Sequence, residues 1–130
     1  MIINKARMTL QKKEILNFLR STKIHPTAEE VYLNVKHKLP KITLATVYRN
    51  LNLLAENNSI LRFEIKGGFH FDFDISKHQH FVCDSCGIIY DVYQEEVSNY
   101  ALNNIKGFSP NGVQIIYKGI CNKCQGDKYE

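Results

Sequence analysis

A chain of 130 residues that is 44% hydrophobic can bury one or two small cores. It holds no apolar run of the roughly 18 residues that a membrane-spanning helix needs, and Met1-Ile2-Ile3-Asn4-Lys5 lacks the apolar stretch of a secretory signal, so a cytoplasmic protein is expected. The net charge of +4 is divided unevenly: residues 1–66 hold 12 Lys/Arg against 5 Asp/Glu, and residues 67–130 hold 5 against 8, which points to a polyanion-binding module followed by a part with another task.

The spacing of Leu10, Ile15, Leu16 and Leu19 predicts a first amphipathic helix. His25-Pro26-Thr27 breaks it. Thr27 can cap a second helix, with Glu30 completing a capping box. Ala28, Val31, Tyr32, Val35 and Leu39 continue that helix until Pro40 stops it. Thr43 can cap a third helix, in which Leu44, Val47, Leu51 and Leu54 form the inner face. Ile60–Ile65 and Phe69–Phe73 alternate apolar and polar residues around Lys66-Gly67-Gly68, the pattern of a β-hairpin. Three helices and a hairpin make a winged helix-turn-helix.

The opposite face of the third helix carries Ala45, Arg49, Asn52 and Glu56, with Tyr48 beside them. In a helix-turn-helix that face enters the major groove. Arg49 can bond guanine and Asn52 adenine, while Thr43, Thr46 and Tyr48 can reach phosphates. A helix face of this kind is often merely solvated. The capped second helix, the wing and the basic first half together make double-stranded DNA the better reading.

Beyond residue 74 the character changes. Strands are expected at His80–Cys83, Ile88–Val92 and Val113–Tyr117, with a helix over 94–105 carrying Val97, Tyr100, Ala101, Leu102 and Ile105. The expected organisation is a winged-helix domain at 1–73, a linker at 74–79 and a second, zinc-stapled domain at 80–130, α+β overall. All four cysteines fall in two Cys-x-x-Cys pairs, Cys83/Cys86 and Cys121/Cys124. Two such turns complete a tetrahedral sulfur shell, so structural Zn²⁺ is expected at these residues, ahead of a redox dithiol. Nitrogen and oxygen ligands crowd nearby. His78 and His80 share one side of an extended segment, and His25, Asp72 and Asp91 could join them around Fe²⁺, Mn²⁺ or Zn²⁺. Spacing alone singles out only the His78/His80 pair. His37 and His70 read as solvated, with His70 a reserve ligand.

Several strings now stand together. They are Arg7-Met8-Thr9-Leu10-Gln11, His25-Pro26-Thr27-Ala28-Glu29-Glu30-Val31-Tyr32, Leu44-Ala45-Thr46-Val47-Tyr48-Arg49-Asn50-Leu51, His78-Gln79-His80-Phe81-Val82-Cys83-Asp84-Ser85-Cys86-Gly87 and Gly119-Ile120-Cys121-Asn122-Lys123-Cys124. With these the chain closely resembles the ferric uptake regulator family of metal-dependent transcription factors over nearly its whole length. The resemblance implies that the second domain dimerises and that the homodimer binds a palindromic operator. It implies structural zinc at the four cysteines, and regulatory Fe²⁺ or Mn²⁺ at His25, Asp72, His78, His80 and Asp91. Asp at positions 72 and 91 is similar to the family's peroxide sensors, where iron-sensing members typically carry Glu. That branch implies iron-catalysed oxidation of ligand histidines, matching His25 and His78. The chain departs from it at His70, where Arg is usual, and at Arg49, which is more like an iron sensor. Repression in response to ferrous iron or zinc is the alternative within the family. A zinc-dependent hydrolase around His78, His80, Asp91 and His25 is the alternative outside it, and it leaves the winged helix without a role.

Overall fold

The computed structural model describes residues 5–126, which divide into two compact units, Met1–Ile75 and Ser76–Glu130. The division falls within the stretch expected as a linker, although Gln79 already belongs to a strand.

The first unit holds α1 (Lys5–Ser21), α2 (Ala28–Val35), α3 (Leu44–Glu56), β1 (Leu61–Ile65) and β2 (Gly68–Asp72). Each of the last two helices starts where the sequence supplies a cap. Thr27 and Glu30 form the full capping box on α2, and the Thr43 hydroxyl accepts from the Thr46 amide on α3. The core joins Ile15 and Leu19 of α1, Ala28, Val31 and Val35 of α2, Val47, Leu51 and Leu54 of α3, and Ile42, Ile60 and Phe71. Leu10, expected on the inner face of α1, is 46% exposed. It lies about 140° around the helix from Ile15, outside the apolar stripe. Helix α2 also ends sooner than Pro40 would require. Pro40 disfavours helical backbone at Leu39, and the chain leaves the helix at Val35 through turns that still pack Leu39 against the core.

β1 and β2 pair antiparallel, with Ile65 opposite Gly68. The connection is therefore the two residues Lys66 and Gly67, not three. Both have positive φ, 52° and 81°, as a type I′ turn requires.

The second unit is a sheet of order β4-β3-β5, built from β3 (Gln79–Cys83), β4 (Ile89–Val92) and β5 (Ile116–Gly119), with α4 (Glu95–Asn103) and α5 (Asn122–Gln125). β3 runs antiparallel to β4 and parallel to β5. β5 begins three residues later than the apolar run at Val113 suggested, and the turn at Cys121 continues into the unexpected α5. The fully buried residue of α4 is Ser98, which buried Gln79 reaches, while Val97, Ala101 and Leu102 are half-buried. Gln79 Nε2 donates to Ser98 Oγ (2.7 Å) and to the Gln94 carbonyl (2.9 Å), and its Oε1 accepts from the Gln94 amide (2.9 Å). Tyr100, 71% exposed, and Ile105, 48% exposed, stay at the surface. No described helix is long and apolar enough to cross a membrane.

Candidate functional site

The four cysteines converge. Cys83 closes β3, Cys86 sits in the turn between β3 and β4, and Cys121 and Cys124 sit at the start of α5 and within it. The pairing of β3 with β5, Cys83 opposite Gly119, carries the second pair to the first. Their sulfurs all lie within 4.8 Å of one another. Cys86 and Cys121 are 3.8 Å apart, far beyond a disulfide and equal to the edge of about 3.8 Å that a tetrahedron with Zn–S bonds of about 2.3 Å requires. Gly87, at φ 76°, lets the turn fold back so that its amide bonds the Cys83 carbonyl (2.9 Å). The amides of Cys86 (3.4 Å) and Cys121 (3.3 Å) both point at the Cys83 sulfur. These two N–H groups draw the Cys83 thiol down to about 6. At Cys124 a hydrogen bond from Ser85 pulls downward, yet its three thiol neighbours together push it up to about 12. Four thiolates this close need a cation between them. The Tyr90 hydroxyl, buried and outside strict hydrogen-bond geometry, lies near Cys121; it draws that thiol down while its own pKa rises. The donor set fits a closed structural zinc site.

The nitrogen and oxygen donors fall into two sets, one in each unit. In the first, His25 Nε2 stands 3.3 Å from Asp72 Oδ2, both nearly buried. His25 precedes the α2 cap and Asp72 ends β2, and the Phe71 amide ties the two segments through the Pro26 carbonyl (3.0 Å). In the second, β3 and β4 pair His80 directly with Asp91. Asp91 Oδ1 lies 3.0 Å from His78 Nε2 and 3.4 Å from His80 Nε2. The two rings meet edge to face, centroids 4.7 Å apart. Strand alternation sends these two rings to one side and Gln79, between them, to the other. His78 Nδ1 donates to the Ser76 carbonyl (2.8 Å), which leaves Nε2 with the lone pair a metal takes. A neighbour that fixes the tautomer of a metal-ligating histidine is a recurrent device, and nothing in the sequence near Ser76 announced it. His37 is exposed, as expected. His70 is not simply solvated: its Nδ1 lies 2.8 Å from the His25 carbonyl.

On α3, Ala45 and Arg49 are exposed, and of the inner face Val47, Leu51 and Leu54 are buried with Leu44 half-buried. Other polar groups of this face are already engaged. Thr43 and Thr46 share a hydroxyl hydrogen bond (3.0 Å). The Tyr48 hydroxyl donates to Glu29 on α2 (2.8 Å), which lowers the carboxyl and raises the phenol. Asn52 Oδ1 accepts from Arg62 of β1 (2.8 Å), whose guanidinium also covers the Phe69 ring at 5.0 Å. The wing is thus latched to α3, a link the sequence pattern did not reveal.

A winged helix followed by a sulfur-stapled sheet, with histidine and aspartate pairs in both, defines a class of metal-binding regulatory proteins. The chain belongs to the ferric uptake regulator family, whose sequence profile matches residues 4–118. The peroxide operon regulator of Bacillus subtilis is 32% identical over 122 residues, 91% of this chain and 83% of that protein. The peroxide-responsive repressor PerR of Staphylococcus saprophyticus is 31% identical over 126 residues, 94% of this chain and 84% of that one. Among solved structures, a Campylobacter jejuni peroxide stress regulator superposes with a TM-score of 0.78 at 28% identity, covering 92% of this chain and 93% of its own.

Proposed function

We propose that this protein is a metal-dependent, peroxide-sensing repressor that acts in the cytoplasm as a homodimer on a palindromic operator, and is not an enzyme. The observation that carries the reading is the pair of half-sets, His25/Asp72 in one unit and His78/His80/Asp91 in the other. Neither suffices alone for a five- or six-coordinate Fe²⁺ or Mn²⁺; together they supply three imidazoles and two carboxylates. An ion held by these donors would restrict the conformations open to the chain. Metal would then favour the conformation that fits DNA and raise affinity without touching it. Exposed Tyr100, Ile105 and Phe108 on the second unit are apolar surface of the kind a dimer covers. Two copies related by a two-fold axis read two half-sites, hence a palindrome.

Bound Fe²⁺ supplies one-electron reduction of peroxide, which Mn²⁺ in the same ligands does sluggishly. The chain's part is to hold the imidazoles of His25 and His78 beside that chemistry, each against a carboxylate, with the His78 tautomer set by Ser76. Oxidation of either ring removes a ligand and releases the operator. Both curated relatives named above are peroxide regulators, and both carboxylates here are Asp, in keeping with this branch.

The test is a titration of operator and random DNA with metal-free and Mn²⁺-loaded protein at two salt concentrations. Mn²⁺ should raise operator affinity by about 10-fold or more, while added salt weakens both DNAs. Asp91→Ala and His80→Ala should keep zinc and the dimer but lose the Mn²⁺ effect. A parental response in either variant means that these donors are not the regulatory site.

A further inference from the structure

His25 adopts a left-handed backbone, φ 55°, one of three non-glycine residues with positive φ among those described. A side chain pays for that conformation sterically, so it persists only where neighbours over-determine it. Here the neighbours come from β2. His70 Nδ1 lies 2.8 Å from the His25 carbonyl; a carbonyl only accepts, so His70 is the donor. The next residue, Phe71, bonds the Pro26 carbonyl (3.0 Å). Two successive carbonyls of the turn are therefore held by two successive residues of one strand.

The ring of His70 is itself placed by register. His70 faces Phe63 across the β1–β2 pair and stacks on it, centroids 5.9 Å apart at 24°. Phe63 also takes the His25 ring on its edge, centroids 6.0 Å apart at 73°. Two residues further along β2 stands Asp72, 3.3 Å from His25 Nε2. One short strand thus carries both the carboxylate beside His25 and the group that fixes the backbone of His25.

We propose that His70 is a positioning residue for regulatory metal binding: its Nδ1–H holds the His25 carbonyl, fixes the left-handed turn and keeps the His25 imidazole aimed at the position shared with Asp72. Reliance on His25 as a ligand is inherited from the proposed function. His70 need not touch the ion. Without its hydrogen bond the His25 turn can relax to negative φ, and the imidazole swings off its partner.

The test compares His70→Phe, which keeps a ring against Phe63 but removes the donor, with His70→Asn, whose side-chain amide can restore an N–H near the same place. Mn²⁺ affinity is read from the EPR signal of free Mn²⁺ on the full-length protein, beside zinc content and the melting temperature of the Mn²⁺-free form. His70→Phe should bind Mn²⁺ about 10-fold more weakly, the low end of what loss of a ligand's supporting hydrogen bond costs. It should keep its zinc and its Mn²⁺-free melting temperature, and His70→Asn should recover most of the affinity. Parental affinity in His70→Phe would overturn the proposal, as would equal weakening in both variants, which would assign the effect to ring packing. His25→Ala separates the two levels. If it too binds Mn²⁺ as the parent does, the regulatory reading fails along with this one; if it loses Mn²⁺ while His70→Phe does not, only the role of His70 fails.

Discussion

The two units are held together by different physics. The first buries a continuous apolar core drawn from three helices and the wing. In the second, the buried apolar residues among those described are Val82 and Ile89, with Cys83 and Cys121. So small a core does not stabilise a sheet of three short strands. The second unit relies instead on polar connections, with Gln79 holding α4 to the sheet and the cysteines converging at its far end. A metal that binds only the folded state contributes its binding energy to folding. The unit with little apolar burial is thus the one whose cysteines converge as a metal staple, whereas the helical unit has an apolar core of its own.

The largest effect should come from removing the staple. Cys121→Ser should lose one zinc per chain and the dimer. The sheet should melt at much lower temperature, while the far-UV helical signal of the first unit persists. Zinc assay, analytical ultracentrifugation and a two-probe thermal scan check this; retained zinc and dimer would contradict the four-sulfur assignment. The reverse experiment is Leu51→Ala. Leu51 is fully buried in the first core, and its truncation should cost about 2–5 kcal/mol in urea denaturation, with zinc content unchanged. Zinc lost alongside would mean that the two units do not separate energetically as described.

A smaller effect tests the polar half of the comparison. Gln79→Leu leaves the Gln94 amide and the Ser98 hydroxyl without their buried partner, and should cost about 1–3 kcal/mol. No loss would show that α4 is held by something other than this network. Least of all for stability is Arg49→Ala, on the exposed face of α3. Its melting temperature should not move, while affinity for the operator falls by about 1–3 kcal/mol and affinity for random DNA hardly changes. Equal losses on both DNAs would make Arg49 a backbone contact.

The same division explains what could be read from sequence. Apolar periodicity located α1 to α3, and local chemistry placed the Thr27 box, the Thr43 cap and the cysteine turns, because each of these is settled within a few residues. His78 and His80 were visible through strand alternation. Leu10 departs from the pattern because its angle on the helix, not its hydrophobicity, decides which face it takes. Leu39 keeps the helical spacing without being in the helix because a turn can also pack a residue against the core. The roles of Gln79 and Ser76, and the backbone contact of His70 that replaces its reading as solvated or a reserve ligand, are hidden for a different reason. Their roles depend on a backbone carbonyl or a polar side chain brought to them by the fold, and a polar residue in a strand carries no mark of its partner. Ser98 of α4 likewise points inward because Gln79 meets it, while Tyr100 stays outside.

In the proposed function the histidine and aspartate sets hold an ion whose chemistry with peroxide falls on this chain's own imidazoles. Tryptic peptide mapping after mild peroxide, on iron-loaded and manganese-loaded protein side by side, tests it most directly. One added oxygen is expected on the His25 or His78 peptide in the iron form alone, with the four cysteines spared while zinc holds them and with operator binding lost in step. Oxidation confined to the cysteines, or no oxidation while iron still drives DNA binding, would contradict it and place the protein with the family's iron-uptake repressors.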